Sequence, residues 1–457
     1  MFWNSQSPII KLVQASTERK AKADLALDFY HDRQSENLHS LIAARWSRPE
    51  DFRLFQINLT KKITNKRAAV YLRAPMRTFA GWDQAKGEAL YRAIGANSIL
   101  KKANRYTKLL RTTALQVRWA KDRPALSVVT PNILDALYTD PARPDALIVT
   151  HRGYNATGTR VKTEATEYSV WSATGYERLD YRGQPIPVDG NPDGVNPYGV
   201  LPFVSLHDSP PDDDYFVRGG DDVIEAQQAL NCGLVNLWRA IELQAHGQAW
   251  AAGISAGDAL QTGPDRAITL PVDGKFGFAA PGTPIAEILS ALEFLAKQTA
   301  VANGLSANVF SIDQQTAESG VAKAIEGADL LEARADDIEL WRGYEAELFE
   351  VLKHVLNTHQ PGTIPADASV RVDFAEPDEV TDEATAAQAA QIRITSGVWS
   401  PVDWALRDNP DLGTREQALE ELMRRRAETA ALRPEIGAPT AVPTTATDPT
   451  PSQIETR

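Results

Sequence analysis

The chain has 457 residues, 43% of them hydrophobic, which is enough for about two to four domains. It carries 48 Lys and Arg against 60 Asp and Glu, a formal net charge of −12. This acidic balance disfavours a sequence-specific DNA-binding protein, whose DNA-facing surface is usually basic. One cysteine, Cys232, excludes an intramolecular disulfide and disfavours a cysteine-based metal site. No signal peptide and no membrane span are predicted, because the apolar stretches are too short.

Apolar residues spaced three and four apart predict helices through most of the first 111 residues. The predicted helical stretches are residues 17–46, 50–73 and 82–111, the last as a pair of helices. The pattern then changes to alternation with period two, which predicts strands at residues 114–119, 126–129, 146–150, 167–171 and 176–181. Antiparallel strands that follow a group of helices predict an α+β fold.

Helical spacing returns at Asp221 and predicts a helix that continues to about Trp250. A short strand pair is predicted at Ala267–Leu270 and Lys275–Ala279, and a further helix begins at Pro284. The elements predicted beyond it are a long amphipathic helix at 319–357, a strand at Ser369–Phe374, and helices at 382–396, 401–408 and 415–431.

The carboxyl-terminal region shows two local signals. Thr414 and Gln417 have the spacing of a capping box, which predicts the start of the last helix. Residues 433–457 contain five Pro, six Thr and few large apolar residues, a composition that predicts disorder.

A loop with very little charge is predicted at residues 305–318, between two helices. Loops are normally solvated and polar, yet this one carries Leu305, Val309, Phe310 and Ile312. Its composition indicates a segment that packs against other protein or lines a passage, and the residues alone leave both open.

Signals for catalysis are weak. Gly253-Ile254-Ser255-Ala256-Gly257 matches the nucleophile-elbow pattern, and His354 or His359 could complete a catalytic order. An elbow needs a strand before the serine and a helix after it, above a parallel sheet. Here a predicted helix precedes the serine and a glycine-rich segment follows it. A soluble serine esterase-like hydrolase that uses Ser255 therefore remains an alternative.

Cofactor and metal signals are weak as well. The chain has no Walker A motif and no dinucleotide-binding glycine motif, so nucleotide hydrolysis is not expected. The acidic segment His207–Asp214 lacks the spaced carboxylates and the turn glycine of a calcium loop. We expect no catalytic residue, no cofactor and no metal.

Four short motifs, spread over roughly residues 35–430, resemble those of the portal proteins of tailed bacteriophages, the head-to-tail connectors. No single motif is specific, but their order along the chain is. The motifs are Tyr198-Gly199-Val200-Leu201-Pro202-Phe203-Val204, Gly219-Gly220-Asp221-Asp222-Val223-Ile224 with Ala229-Leu230-Asn231, Ser319-Gly320-Val321-Ala322, and Lys66-Arg67-Ala68. The resemblance departs from the family at Lys323-Ala324 and in a short middle segment.

This resemblance implies a mainly α-helical portal fold with long stem and wing helices, an antiparallel β region in the wing, a small clip and a helical crown. The segments it implies are the amino-terminal wing at 1–218, stem helix 1 at 219–252, the clip at 253–283, stem helix 2 at 284–304, the tunnel loop at 305–318, the long wing helix and returning strand at 319–375, the crown at 376–432 and a disordered tail at 433–457.

The implied function is a homo-oligomeric ring, of twelve subunits in the family, at one capsid vertex of a virion. Such a ring assembles in the host cytoplasm, conducts double-stranded DNA without sequence specificity during packaging and ejection, and is not an enzyme. The implied partners are the large terminase subunit, head-completion or adaptor proteins, and the major capsid or scaffolding protein, with no membrane. A non-viral helical scaffold that uses residues 285–357 is a third interpretation.

Candidate site residues follow from the same resemblance. In the tunnel loop, the candidate DNA-channel residues are Asn308, Val309, Phe310, Ile312, Gln314 and Gln315. In the clip, Arg266 and Lys275 are candidates for partner docking. Neutral polar side chains suit a conduit, because each phosphate neutralised by Lys or Arg would add to the grip on DNA.

Overall fold

The structure is a computed structural model that describes residues 8–152, 166–245, 248–253, 270, 272–279, 282, 284–307, 320–374, 383–408 and 414–432. Its helices and antiparallel sheets confirm the α+β class. The chain forms two compact units, Met1–Pro377 and Asp378–Arg457.

Six α-helices lie in the described residues up to Leu110, with one strand between the fourth and the fifth. They are α1 (Pro8–Ala15), α2 (Thr17–Tyr30), α3 (Ser35–Ala43), α4 (Leu59–Arg67), α5 (Gln84–Ala93) and α6 (Ala96–Leu110). The pair predicted at 82–111 is confirmed, whereas the single helix predicted at 17–46 is wrong. It is broken between α2 and α3, where Asp32 adopts a left-handed φ of 62°, a conformation that a helix interior excludes.

The helix predicted at 50–73 is also largely wrong. Only α4 is α-helical there, and Asn58 caps it by accepting a hydrogen bond from the Lys61 backbone N at 2.7 Å. The apolar residues before α4 have helical spacing but do not form an α-helix. Phe52 follows a short 3-10 turn and packs from an extended segment with a buried cluster that includes residues of α3. Tertiary packing, rather than local helix formation, explains that spacing.

Eight of the strands in the first unit form two antiparallel sheets. The three-stranded sheet has the order β3 (Arg123–Val129), β2 (Thr112–Ala120), β9 (Phe203–His207); the five-stranded sheet is β4 (Leu134–Asp140), β5 (Arg143–His151), β6 (Glu167–Ser172), β7 (Tyr176–Leu179), β8 (Pro185–Ile186). All five predicted strands are confirmed. The alternation did not reveal β4, whose first three residues are all buried.

The remaining elements of the first unit are β1 (Met76–Ala80), α7 (Asp221–Ala245), β10 (Gln248–Ala252), β11 (Lys275–Ala279), α8 (Ile285–Ala302), α9 (Gly320–His359) and β12 (Ser369–Asp373). The helix predicted to reach Trp250 is wrong, because Trp250 lies in β10 and pairs with Gly277 of β11. The strand predicted at Ala267–Leu270 lies outside the described residues apart from Leu270, and the described partner of β11 is β10. The long helix and the late strand are confirmed, and β12 pairs with β1.

The main core of this unit forms along the second half of α9. Trp341, Leu348, Phe349 and Leu352 are at most 2% exposed and pack against β2, β9 and β12. Burying each such side chain contributes roughly 1.5–3 kcal/mol. These contacts hold α9 across the sheet although its amino-terminal half has several acidic, exposed residues.

The second unit contains α10 (Glu383–Thr395), α11 (Pro401–Asp408) and α12 (Arg415–Leu432), which confirms the three predicted helices. The predicted capping box is present: the Thr414 backbone N donates to Gln417 Oε1 at 3.2 Å, and the Gln417 N donates to Thr414 Oγ1 at 3.3 Å. The tail at 433–457 lies outside the described residues.

Replacing His207 with phenylalanine should flatten the loss of stability on acidification. Burial lowers the pKa of His207 from 6.5 to about 4, and its Nε2 has no hydrogen-bond partner among the described residues. Between pH 6.5 and 4 the unfolded chain binds the extra proton, so the wild type loses stability as pH falls, by up to about 3 kcal/mol.

Urea unfolding at pH 7, 5.5 and 4 measures this effect. The exposed His39, changed to glutamine, is the matched control and should keep the wild-type pH slope. An unchanged slope in His207→Phe would show that His207 does not titrate in this way.

Candidate functional site

The candidate site is the pair of helices α7 and α8 with the β10–β11 hairpin that connects them. The helices are antiparallel: Asn303, at the end of α8, donates to Asp222 Oδ2 at the start of α7 at 3.1 Å. Further along the pair, a Cβ placed on Gly233 would lie 2.3 Å from a Leu292 methyl. The absence of a side chain at this position therefore allows the two helices to approach closely.

One face of α7 makes this contact. Leu230 and Leu234 of α7 pack with Leu292 and Leu295 of α8, in a cluster that also buries Ala300. These positions repeat at three- and four-residue spacing, which places them on one side of each helix.

The opposite face of α7 contacts the beginning of the chain. Cys232 and Val235 pack with Leu38 and Ile42 of α3, and Phe52 joins that cluster. Slightly further along α7, Trp238 contacts Phe55 with ring centroids 5.0 Å apart. The helix α7 therefore lies between α8 on one side and α3 with residues 44–57 on the other.

Buried polar contacts fix α7 against this layer. Gln227 is fully buried, and its Oε1 accepts hydrogen bonds from the backbone N of Leu59 at 2.6 Å and of Thr60 at 3.0 Å. It thereby accepts hydrogen bonds from two backbone amides at the start of α4 that have no partner within the helix. Asn231 donates to Gln34 Oε1 at 2.7 Å.

A charged cluster lies beneath the ends of the helix pair. Lys108 Nζ is 2.6 Å from Asp208 and 2.7 Å from Asp337, and Arg111 also pairs with Asp208. Arg67 connects this cluster to α8 by donating to Asn303 Oδ1 at 2.8 Å. The elements α4, α6, α8 and α9 are thus linked at one point.

The carboxyl groups of this cluster titrate differently. Burial raises the pKa of Asp337, although the ammonium of Lys108 opposes the change. Burial also favours a higher pKa for Asp208, but the positive charges of Lys108 and Arg111 outweigh it and hold the pKa below the ordinary value. Lys108 therefore favours the charged form of both acids.

Apolar side chains remain exposed on the hairpin and on the outer side of α8. Phe278 is 63% exposed in β11, Phe294 is 65% and Val301 is 52% exposed in α8. Phe294 and Val301 are two turns apart, so they lie on the same side of α8.

The channel and docking residues predicted from the sequence fall mostly outside the described part of the chain. This holds for Asn308, Val309, Phe310, Ile312, Gln314 and Gln315 and for Arg266. Lys275 is described: it is the exposed first residue of β11 and pairs with Ala252.

The predicted hydrolase context is not found among the described residues. Ser255 lies outside them, and every described sheet is antiparallel rather than parallel. His354 lies exposed on α9, and His359 stacks on Trp119 with ring centroids 4.3 Å apart.

The described residues show neither a metal cluster nor a membrane-spanning helix. No group of three or more His, Cys, Asp or Glu side chains there could hold a metal ion. No described helix is long and apolar enough to cross a membrane.

Several residues important to the site were not singled out from the sequence. Asn303, Asp208 and Gln227 are ordinary polar residues in the linear pattern, and only the fold brings them to their partners. Arg67 and Asn231 lie within motifs quoted above, and the structure gives both of them buried or half-buried hydrogen bonds.

Comparison with solved structures finds weak likeness to chains of gene transfer agent particles. No family model matches the chain, and no curated protein matches it in sequence. A chain in the virion of the native gene transfer agent (GTA) particle is 13% identical, with a TM-score of 0.43 over 74% of this chain and 85% of that chain.

Two GTA neck structures give similar values. A chain from the neck of the empty particle, computed with C6 symmetry, is 13% identical with a TM-score of 0.44, covering 75% of this chain and 87% of that chain. A chain from the neck of the native particle, computed with C12 symmetry, is 13% identical with a TM-score of 0.43, covering 75% and 86%. Likeness at this level does not assign a function.

Proposed function

We propose that the chain is a portal protein, the subunit of a ring that conducts double-stranded DNA through one vertex of a phage-like capsid. One observation carries the proposal: two antiparallel helices, α7 and α8, are joined by a small β-hairpin and followed by the 40-residue helix α9. This is the order of stem, clip, stem and long wing helix that the sequence motifs imply.

The exposed surface of this helix pair supports assembly. Phe294 and Val301 lie on the side of α8 that faces away from α7. A protein that functions as a monomer gains nothing from such a stripe, whereas a ring subunit buries it against its neighbour. The formal net charge of −12 also suits a conduit, since it weakens any grip on DNA.

Within this function, the tunnel loop at 305–318 and the docking residues Arg266 and Lys275 stay predictions. The same holds for DNA, the terminase and the head-completion proteins as partners, and for twelve as the subunit number. A helical scaffold built on residues 285–357 would show the same helices, but it would not need a closed ring.

Purified protein should form rings with an axial hole about as wide as a DNA duplex. Negative-stain electron microscopy shows the hole, and mass photometry gives the subunit number: twelve copies of a 50.1 kDa chain have a mass of about 600 kDa. Samples at several concentrations and salt levels allow for a weak subunit contact.

A protein that stays monomeric under all these conditions would overturn the proposal. Open filaments or irregular clusters would favour the scaffold. Ester hydrolysis that disappears in Ser255→Ala would instead identify the hydrolase.

A further inference from the structure

The helix pair presents two different surfaces on opposite sides. One is the aromatic–arginine surface, which comprises Trp46, Arg53, Leu54, Phe55 and Trp238. The other is the outer α8 face, which comprises Glu287, Ser290, Phe294 and Val301. The helix α7 is packed between α8 and the layer of α3 with residues 44–57, so the layer carries most of the first surface on one side of α7 and α8 carries the second on the other.

The aromatic–arginine surface has the composition of an interaction site. The Arg53 guanidinium lies 5.1 Å from the centre of the Phe55 ring and 5.9 Å from that of Trp238. Trp46 is 48% exposed and Leu54 is 36% exposed. Tryptophan and arginine dominate the binding energy of many protein interfaces, since they combine a large contact area with a directed charge.

The outer α8 face complements this surface. Glu287, Ser290, Phe294 and Val301 recur at three-, four- and seven-residue spacing, and all four are exposed. They lie on the side of α8 opposite to Leu292 and Leu295. The face therefore offers one carboxylate at the start of α8 and two apolar side chains further along the same side of the helix. Neither Glu287 nor Arg53 has an ion-pair partner among the residues that the structure describes.

The two charges also lie at the same level. Gly233 of α7 is opposite Leu292 of α8, and the two helices are antiparallel. Trp238, five residues after Gly233, is therefore level with Glu287, five residues before Leu292. Arg53 packs beside Trp238. In a closed ring, neighbouring subunits are not displaced along the ring axis. If the helix pair runs along that axis, residues at the same level of the pair can meet across the contact between two subunits.

We propose that the aromatic–arginine surface of one subunit binds the outer α8 face of the next, with Arg53 paired to Glu287 across the contact. The inference rests on the proposed ring and names the surfaces that close it. The occupant is a second copy of this chain, because one subunit supplies both halves on opposite sides. A head-to-tail contact requires this arrangement.

Charge reversal tests the pairing. Arg53→Glu and Glu287→Arg each place like charges at every contact, so each variant should weaken every junction about fivefold and shift the population from rings to monomers. The double variant, Arg53→Glu with Glu287→Arg, restores opposite charges and should recover rings. Mass photometry at matched concentrations measures the ring fraction.

Mixing the two single variants gives the sharpest result. In an alternating ring, every second contact is native and the others carry the reversed pair, so the mixture should assemble although neither variant does alone. Contacts within one subunit cannot be rescued by mixing. Glu293→Arg is the matched control: this exposed glutamate lies on another side of α8, and the variant should still form rings.

The outcomes separate the two proposals. Wild-type protein that forms no ring refutes the proposed function. Wild-type rings that persist in both single variants, or single variants that neither the double variant nor the mixture rescues, refute this contact and leave the portal function standing. Unchanged thermal unfolding of the variant subunits confirms that the exposed substitutions act on assembly.

Discussion

Replacing Glu345 with alanine should lower the free energy of unfolding by about 3–5 kcal/mol, because it leaves a buried guanidinium without its counter-charge. Glu345 is completely buried in α9. Its carboxylate accepts hydrogen bonds from Arg77 Nε at 2.9 Å, from an Arg77 terminal nitrogen at 2.6 Å and from the Tyr71 hydroxyl at 2.9 Å.

The remaining environment cannot compensate for this loss. Arg77 is buried in β1; its other terminal nitrogen donates to Asn97 at 2.8 Å, and its guanidinium lies 4.5 Å from the centre of the Tyr91 ring. These groups bear no negative charge. Because β1 pairs with β12, the substitution should also weaken the packing of β12 on α9.

Urea unfolding followed by far-ultraviolet circular dichroism measures the change. Glu339→Ala, at an exposed position on the same helix, is the control and should differ from the wild type by less than about 0.5 kcal/mol. A loss below 1 kcal/mol in Glu345→Ala would show that the Arg77 pair does not hold α9 to β1.

Replacing Lys108 with methionine should cost about 3 kcal/mol at pH 7, since it leaves Asp208 and Asp337 buried near each other without the ammonium between them. Arg111 still compensates Asp208, so Asp337 carries most of the penalty. Methionine retains the length of the side chain, which limits the loss of packing.

The pH dependence identifies the cause. Without Lys108, the pKa of Asp337 should rise further above its ordinary value, because burial already raises it and the opposing ammonium is gone. The variant therefore recovers stability relative to the wild type as pH falls and Asp337 takes up a proton. Unfolding measured at pH 7 and pH 4 should show a smaller difference at pH 4. A constant difference would indicate lost packing instead. Lys101→Met, on the same helix, is the control.

Local patterns predicted most of the elements. The three helices of the second unit, the capping box at Thr414 and Gln417, the helix α9 and five strands follow from spacing within the elements themselves. Prediction was wrong where long-range contacts decide the conformation. The helix predicted at 50–73 is α-helical only at α4, because Phe52 packs with α3 and α7 from a 3-10 turn and an extended segment. Trp250 lies in a strand because it pairs with Gly277.

The candidate site was predictable only in outline. The motifs around Asp221 and Ser319 indicated two helices beside a loop, but they did not identify what each helix face contacts. Arg53 and Glu287 are unremarkable in the linear pattern, because their common level depends on the register between Gly233 and Leu292. Likewise, Lys108 gains its role only where Asp208 and Asp337 converge on it.

The sequence by itself determined the α+β class, the acidic charge, the single cysteine, the helix α9 and the three helices of the second unit, since these depend on composition and on spacing within one element. The tertiary structure alone decided the pairing of β1 with β12 and of β10 with β11, the buried Arg77–Glu345 pair and the two opposite surfaces of the helix pair. These features join residues far apart in the chain, and their energies arise only after packing has excluded water from the contact.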